Sequence, residues 1–209
     1  MGAMKIISEV SFDEVIHSWL QAEWYKPEYN QFRQTVPQAI IKNPDFANSG
    51  QNNIRSSLFY HGRSPMWSPL LVLSTWYKVQ VVKADIDKVY HCACDEWEPI
   101  TEKSFRVERT IENLNGLMQG EITQKIVQTV ERIHAGLTED AVVDGLVMIG
   151  LRPDSNLTVI EGNHRFTAVC AKHNNKGHDT IISNCGYLGI HPEMNNYRFH
   201  IGKRIPHLG

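Results

Sequence analysis

The chain has 209 residues, which is enough for one sizeable α/β domain or for a domain that carries an extension. With 42% hydrophobic and 21% charged residues it has the composition of an ordinary globular protein, which excludes long disordered or low-complexity segments. The net charge of −2 and the lack of any Lys/Arg run argue against a protein that coats DNA, and the lack of a long apolar run predicts a cytoplasmic protein without membrane partners.

The N-terminal portion, residues 1–75, is predicted to be a helical extension. Ser11 and Glu14 have the Ser-x-x-Glu spacing of a capping box, so a helix is predicted from there to Trp24. A second helix is predicted over residues 29–41, because a proline precedes it and an Asn-Pro pair follows it. The polar residues after this second helix are predicted to form turns.

The C-terminal portion, residues 76–209, is predicted to contain both strands and helices. Strands are favoured where β-branched residues cluster, and helices where apolar residues recur at helical spacing. The predicted strands cover residues 76–84, 88–92, 157–160, 180–183, 187–190 and 197–200. The predicted helices cover residues 104–114, 121–134, 138–143 and 163–173. This order favours an α/β or α+β fold with a mixed sheet over a helix bundle or a β-sandwich.

A strand, a tight turn and a helix are predicted to meet at Glu161-Gly162-Asn163-His164-Arg165. Gly162 tolerates the unusual backbone angles that such a turn needs. The first turn of a helix carries unpaired N–H groups and the positive end of the helix dipole, which together favour an anion. The dipole contributes about 0.3–1 kcal/mol, and a charge-assisted hydrogen bond contributes about 1.5–3 kcal/mol. We therefore predict a phosphate-bearing ligand, in particular a nucleotide, with Arg165 as its main side-chain partner and His164 as a second donor.

Glu161 is unexpected beside an anion site, because its carboxylate would repel a bare phosphate. It could coordinate a phosphate-bound Mg²⁺, or it could accept a proton from a hydroxyl that attacks the phosphate. Both interpretations predict phosphoryl transfer. The alternative is purely structural: Gly162 ends the strand, Asn163 caps the helix, and Glu161 pairs with Arg165 at the surface.

At these residues the chain resembles the ParB/sulfiredoxin fold superfamily. Its members have a strand that ends in an acidic residue or Gly, then Gly-x-His-Arg or Gly-x-x-Arg, then a helix with small residues. The corresponding stretch here covers residues 159–168, and the wider resemblance covers roughly residues 76–190. It implies a ParB/sulfiredoxin-like α/β domain. Sulfiredoxins have an essential Cys at the position of Asn163, and chromosome-partition ParB proteins have a more basic motif, so the resemblance implies neither activity.

The motif is most similar to that of free-serine kinases, which have Asp-Gly-x-His-Arg and transfer phosphate from a nucleotide to a small hydroxyl compound. The resemblance implies a phosphotransferase that uses ATP or ADP with Mg²⁺, in which Glu161 is a base or metal ligand and His164 stabilises the transferring phosphate. A second carboxylate acts at the acceptor hydroxyl in such kinases, and Glu96 is expected here, with Asp95 and Glu98 as alternatives. The expected nucleotide contacts are Gly162, Asn163, His164, Arg165 and Thr167.

Two alternatives use the same motif differently. Another branch of the superfamily contains ParB-like nucleases and DNA-modification proteins, which implies a pocket for a nucleic-acid phosphate. Arg33, Arg55 and Arg63, together with the aromatic residues of the N-terminal portion, could then stack on bases, although core positions are favoured for the aromatics. The second alternative is a nucleotide sensor that has no turnover. The extension could also form a lid or an acceptor pocket over the phosphate site.

Four cysteines in a chain of this length do not predict a disulfide framework, which agrees with a reducing compartment. The stretch His91-Cys92-Ala93-Cys94-Asp95 suggests a metal site, but Cys-x-Cys is not the spacing of a zinc knuckle and no second pair exists. We therefore expect two buried cysteines on a strand rather than a metal site.

Overall fold

The computed structural model describes residues 4–114 and 120–208, and a six-stranded mixed sheet forms its centre. In chain order the strands are β1 (Lys5–Val10), β2 (Thr75–Val82), β3 (Val89–Tyr90), β4 (Asp144–Gly150), β5 (Leu157–Glu161) and β6 (Ile181–Ile190). Their order across the sheet is β1-β2-β6-β4-β5-β3. β2 is antiparallel to β1 and β6, and β5 is antiparallel to β4, whereas the β4–β6 and β3–β5 pairs are parallel. The predicted mixed α/β architecture is confirmed.

The helices cover both faces of this sheet. They are α1 (Phe12–Glu23), α2 (Ala39–Lys42), α3 (Ser49–Arg63), α4 (Pro69–Leu73), α5 (Val107–Leu114), α6 (Glu121–Ala135), α7 (Asn163–Lys172) and α8 (Ile201–Arg204). The predicted capping box of α1 is confirmed, since the Glu14 N–H donates to Ser11 Oγ and the Ser11 N–H donates to Glu14 Oε1. Among the described residues, no helix combines the length and the apolar composition that crossing a bilayer would need.

Alternate residues of the central strand β4 belong to two different cores. Val147 and Ile149 pack with α1 and α3, where Trp19 and Phe59 are buried. Leu146 and Met148 pack on the opposite face with α7 and the apolar residues near α5. A third cluster joins α6 to α7 and to the segment after β3. Strand β1 precedes residue 75 and pairs with β2, so the N-terminal portion contributes an edge strand as well as its helices.

The single helix predicted over residues 29–41 is wrong. This segment instead contains two short 3-10 turns, Pro27–Tyr29 and Phe32–Gln34, followed by α2. Pro37 explains the interruption, because proline lacks the N–H that a helix interior needs and disfavours helical angles in the residue before it.

The turns predicted after the second helix are also wrong from residue 49 onward, where α3 begins. Asn48 caps this helix by accepting a hydrogen bond of 3.1 Å from the Gln51 N–H. The first turns of α3 are polar, so the helical pattern is weak in the sequence there. Its stability comes from tertiary packing, because Leu58 and Phe59 are buried against α1.

Further differences concern the C-terminal portion. Residues 138–143, predicted as a helix, form turn and loop, and β4 follows without having been predicted. β4 is buried on both faces, so it lacks the alternation that identifies a strand. The strands predicted at 180–183 and 187–190 are one strand, β6. The strand predicted at 197–200 is absent, because His200 instead caps α8 through its Nδ1.

Candidate functional site

A cavity of about 680 Å³ lies at the start of α7, where the N-terminal helices meet the end of β5. Six consecutive residues, 160–165, form one wall, and the segment after β3 forms another. The lining residues are Ala22, Lys26, Arg63, Met66, Cys92, Cys94, Glu96, Trp97, Thr129, Ile133, Ile160, Glu161, Gly162, Asn163, His164, Arg165 and Phe199. The cavity therefore combines the predicted motif with side chains from the N-terminal portion.

Gly162 makes the turn from β5 into α7. Its φ of +90° lies in the left-handed region, as the sequence predicted, and its carbonyl accepts the first helical hydrogen bond from the Phe166 N–H at 2.8 Å. The N–H groups of the next three residues have no acceptor within the helix, because the helix begins at these residues. Because residues 162–165 line the cavity, the start of α7 offers these donors and its dipole to a ligand.

The Asn163 side chain has a structural role. Its Oδ1 accepts hydrogen bonds from His91 Nδ1 at 3.0 Å and from the Cys92 N–H at 3.3 Å, and its Nδ2 donates to the Val159 carbonyl at 3.1 Å. It thereby ties α7 to β5 and to the segment after β3. The backbone N–H in the first turn is the group of Asn163 that remains for a ligand.

Thr167 is not brought together with the other expected nucleotide contacts. It is fully buried, it does not line the cavity, and its hydroxyl donates to the Asn163 carbonyl at 2.8 Å. Thr167 lies one turn into α7, on the side of the helix that packs against the core. Its contribution is to the packing and hydrogen bonding of the helix.

Arg165 and Glu161 form the ion pair that the structural alternative predicts, but the distance between the charged groups is long. Arg165 Nη2 lies 3.5 Å from Glu161 Oε1, and Arg165 Nη1 donates to the Asp144 carbonyl at 3.1 Å. The Arg165 side chain is 38% exposed. A pair this exposed contributes at most about 1 kcal/mol, so a phosphate that offers a shorter charge-assisted bond can compete for the guanidinium.

Two further cations come from the N-terminal portion. Lys26 Nζ lies 2.5 Å from Glu23 Oε1, and Arg63 Nη2 contacts the same oxygen. Glu23 is buried, so its charge fixes Lys26 and Arg63 at the edge of the cavity. Burial lowers the pKa of Arg63, and the carboxylates of Glu161 and Glu96 act in the opposite direction. No local sequence pattern links Glu23 or Lys26 with the motif, because these residues lie far from it in the chain.

Of the three carboxylates considered upstream, Glu96 lines the cavity. Asp95 is exposed and pairs with Arg204, and Glu98 lies 3.8 Å from both Lys103 and Arg204. Both of these alternatives therefore have ion-pair partners outside the cavity. Glu96 and Glu161 line the same cavity.

Aromatic rings support the wall of the cavity beside His164. Trp97 stacks on His91 with 4.1 Å between ring centroids, and the ring centroid of His164 lies 5.0 Å from that of Trp97. Burial lowers the pKa of His164, whereas Glu96 raises it and Lys26 lowers it. A neutral His164 can still donate one hydrogen bond to a phosphate oxygen, but it adds no charge.

Within residues 4–114 and 120–208, no group of three or more His, Cys, Asp or Glu side chains is placed to hold a metal ion. Cys92 and Cys94 accordingly belong to no such group. Mg²⁺, by contrast, is often held by one or two protein carboxylates and by the phosphates of its substrate. Glu161 is a donor of this kind at the start of α7, so the residues present fit a metal that arrives with a nucleotide.

The aromatic residues of the N-terminal portion mainly form core. Trp19 and Trp24 are buried between α1 and its neighbours. Arg55 is also fully buried and donates to the Ile40 carbonyl at 3.2 Å, and Arg33 Nη1 donates to the Trp24 carbonyl at 2.6 Å. These four side chains are therefore used within the extension, whereas Tyr25 and Tyr60 are exposed.

Two buried histidines next to the site predict acid sensitivity. Burial lowers the pKa of His91 to about 3 and that of His200 to about 4, against about 6.5 in an unfolded chain. Between these values the unfolded state binds protons that the folded state does not, so stability is lost as the pH falls below about 6.5. Each such proton contributes a slope of about 1.4 kcal/mol per pH unit.

The measurement is the free energy of urea unfolding at several pH values between 7.5 and about 4.5. The His91→Gln variant should lose the share of the slope that belongs to His91, whatever its stability at neutral pH. His178→Gln, at an exposed position, is the matched control and should keep the wild-type slope. An unchanged slope in His91→Gln would show that His91 does not remain neutral in the folded protein.

Comparison of the chain with protein-family models, with curated proteins and with solved structures finds no match.

Proposed function

We propose that the chain is a nucleotide-dependent phosphotransferase with a ParB/sulfiredoxin-like fold, which transfers a phosphoryl group from ATP or ADP to a small hydroxyl compound. One observation carries the proposal: the start of α7, three cationic side chains and two carboxylates line the same cavity. Its volume of about 680 Å³ lies in the range of small-molecule sites. A purely structural Gly-x-His-Arg turn would not need these distant charges.

The cations supply the phosphate-binding part of the site. Arg165 comes from α7, Arg63 from the end of α3, and Lys26 from the segment after α1. Guanidinium groups bind phosphate oxygens in a bidentate manner, and the N–H groups at the start of α7 add donors from the backbone. Glu23 keeps Lys26 and Arg63 in place before a ligand arrives, which reduces the ordering that binding requires.

The two carboxylates supply the chemistry. Glu96 orients the acceptor hydroxyl, and Glu161 takes its proton or supplies the protein ligand of Mg²⁺. The acceptor oxygen forms a bond to the terminal phosphorus while the bond from that phosphorus to the bridging oxygen breaks, and the shortened nucleotide leaves. Mg²⁺ neutralises charge on the phosphates when it is bound. Arg165, Arg63 and the N–H of a neutral His164 stabilise the charge on the transferring group.

Competition separates this function from nucleic-acid binding. A fluorescent ATP analogue bound to the wild-type protein should be displaced by ATP at micromolar to millimolar concentrations, with a shallow dependence on salt. A single-stranded oligonucleotide of mixed sequence should compete poorly. If the oligonucleotide competes at far lower concentration than ATP, with a steep loss of affinity at higher salt, the pocket serves a nucleic-acid phosphate instead. If the protein binds ATP but forms no product with any acceptor compound, it is a nucleotide sensor.

A further inference from the structure

Two cysteines lie side by side in the wall of the cavity, outside the groups that the proposed function uses. Cys92 and Cys94 follow β3, which ends at Tyr90, so they lie in a loop and not on the strand that the sequence predicted. The Cys94 N–H donates to the Cys92 carbonyl at 2.8 Å. A hydrogen bond between residues i and i+2 closes a three-residue turn, which holds the two residues close together.

The segment that carries these cysteines is anchored on both sides. The Cys92 N–H donates to Asn163 Oδ1 at 3.3 Å, and the Ala93 N–H donates to the Phe199 carbonyl at 3.0 Å. Cys92 is buried, whereas Cys94 is partly exposed to the cavity. A small reagent that enters the cavity therefore reaches Cys94 first.

The two thiols also interact directly. Their hydrogen bonding to each other shifts the pKa values of the two thiols in opposite directions. The hydrogen bond with Cys92 lowers the pKa of Cys94, the backbone of Trp97 and Glu96 acts in the same direction, and burial opposes them. The pKa of Cys92 is raised by its hydrogen bond to Cys94 and by burial. The thiolate is the reactive form of cysteine, so the two residues differ in reactivity.

We propose that Cys92 and Cys94 are a reactive dithiol that reduces hydroperoxides, with Cys94 as the attacking sulfur and Cys92 as the resolving one. The proposal rests on the turn that joins them, the burial of Cys92 and the access of Cys94 to the cavity. It does not depend on nucleotide binding or on phosphoryl transfer, and it can hold or fail independently of them.

One molecule of hydroperoxide oxidises the dithiol to a disulfide in two steps. The Cys94 thiolate attacks the terminal oxygen, the O–O bond breaks, and the leaving alkoxide or hydroxide takes up a proton, which gives Cys94 sulfenic acid. The Cys92 sulfur then attacks the Cys94 sulfur, the S–O bond breaks, and the released hydroxide takes the Cys92 proton to form water. Two thiols lose two electrons and two protons in total, and an external thiol restores the dithiol.

Intact-mass measurement of the full chain tests the proposal. Reduced protein treated with one equivalent of hydrogen peroxide, and then alkylated under denaturing conditions, should carry two alkyl groups fewer than the untreated protein. Digestion should place the new disulfide between Cys92 and Cys94, and dithiothreitol should restore both alkylation sites. A disulfide that involves Cys170 or Cys185, or no loss of alkylation sites in folded protein, would overturn the proposal.

Single variants assign the two roles. Cys92→Ser should retain the first step and accumulate a sulfenic acid at Cys94 that dimedone labels. Cys94→Ser should react at least about tenfold more slowly and form no disulfide, because the remaining thiol is buried. Cys185→Ser, which removes a partly exposed cysteine on β6, is the control and should behave as the wild type. Equal rates in Cys92→Ser and Cys94→Ser would overturn the assignment of the attacking sulfur.

Discussion

Glu161→Gln is expected to lower phosphoryl transfer by about 10²–10⁴-fold while nucleotide binding is retained. The amide has nearly the shape of the carboxylate, so β5 and the turn at Gly162 should be undisturbed. The amide cannot accept the proton of the acceptor hydroxyl, and it cannot contribute a negative charge to Mg²⁺. The proposed mechanism needs one of these two roles. Removal of the charge also reduces repulsion of the phosphates, so affinity should be equal or higher.

The readout is the formation of shortened nucleotide in the presence of a panel of small hydroxyl compounds, together with the affinity for ATP. Asp154→Asn is the matched control, because this carboxylate is exposed in the turn between β4 and β5. The control should keep wild-type turnover. Full turnover in Glu161→Gln would contradict the role proposed for Glu161.

Gly62→Ala should destabilise the protein by about 1–3 kcal/mol or more. A Cβ atom at this position would lie 2.0 Å from Tyr29 Oη and 2.4 Å from Tyr29 Cζ, whereas Cβ atoms essentially never approach a heavy atom within 3.0 Å. Tyr29 is fully buried beside Trp24, so it has little room to withdraw. Alanine gains about 1 kcal/mol over glycine in a helix interior, which is not enough to offset the clash.

Urea unfolding followed by circular dichroism measures this effect. Gly177→Ala is the control, because no atom lies within 4 Å of its Cβ position. The altered helix end also carries Arg63, so Gly62→Ala should weaken nucleotide binding as well. If both variants unfold at the same urea concentration as the wild type, α3 does not pack on Tyr29 as described.

The sequence predicts the parts of the site that are local. The turn at Gly162, the helix that follows it and the strand before it all depend on neighbouring residues, and they could be predicted from five positions. Arg165 belongs to the same stretch. Arg63 lies about 100 residues and Lys26 about 135 residues before the motif, and tertiary packing of the N-terminal helices brings them to the cavity.

A strand is also difficult to predict from the sequence where burial on both faces removes the alternation of apolar and polar residues. β4 is apolar along its whole buried length, so alternation cannot reveal it, although its residues contribute to both cores. Asn163 shows the converse. Its position in the motif predicts a ligand contact, but its side chain is used to hold His91 and Cys92 against α7.

Calorimetric titration with ATP, ADP and CTP in the presence of Mg²⁺ tests the central claim most directly, on the wild type and on Arg165→Ala in parallel. Loss of a charge-assisted hydrogen bond of about 1.5–3 kcal/mol should weaken binding by about 10–150-fold, which places a micromolar to millimolar ligand at or beyond the limit of detection. Arg152→Ala, which removes an exposed guanidinium outside the cavity, should bind as the wild type does. Binding by the wild type that is lost in Arg165→Ala is the predicted result, and a folded wild-type protein that binds none of the three nucleotides would contradict the account.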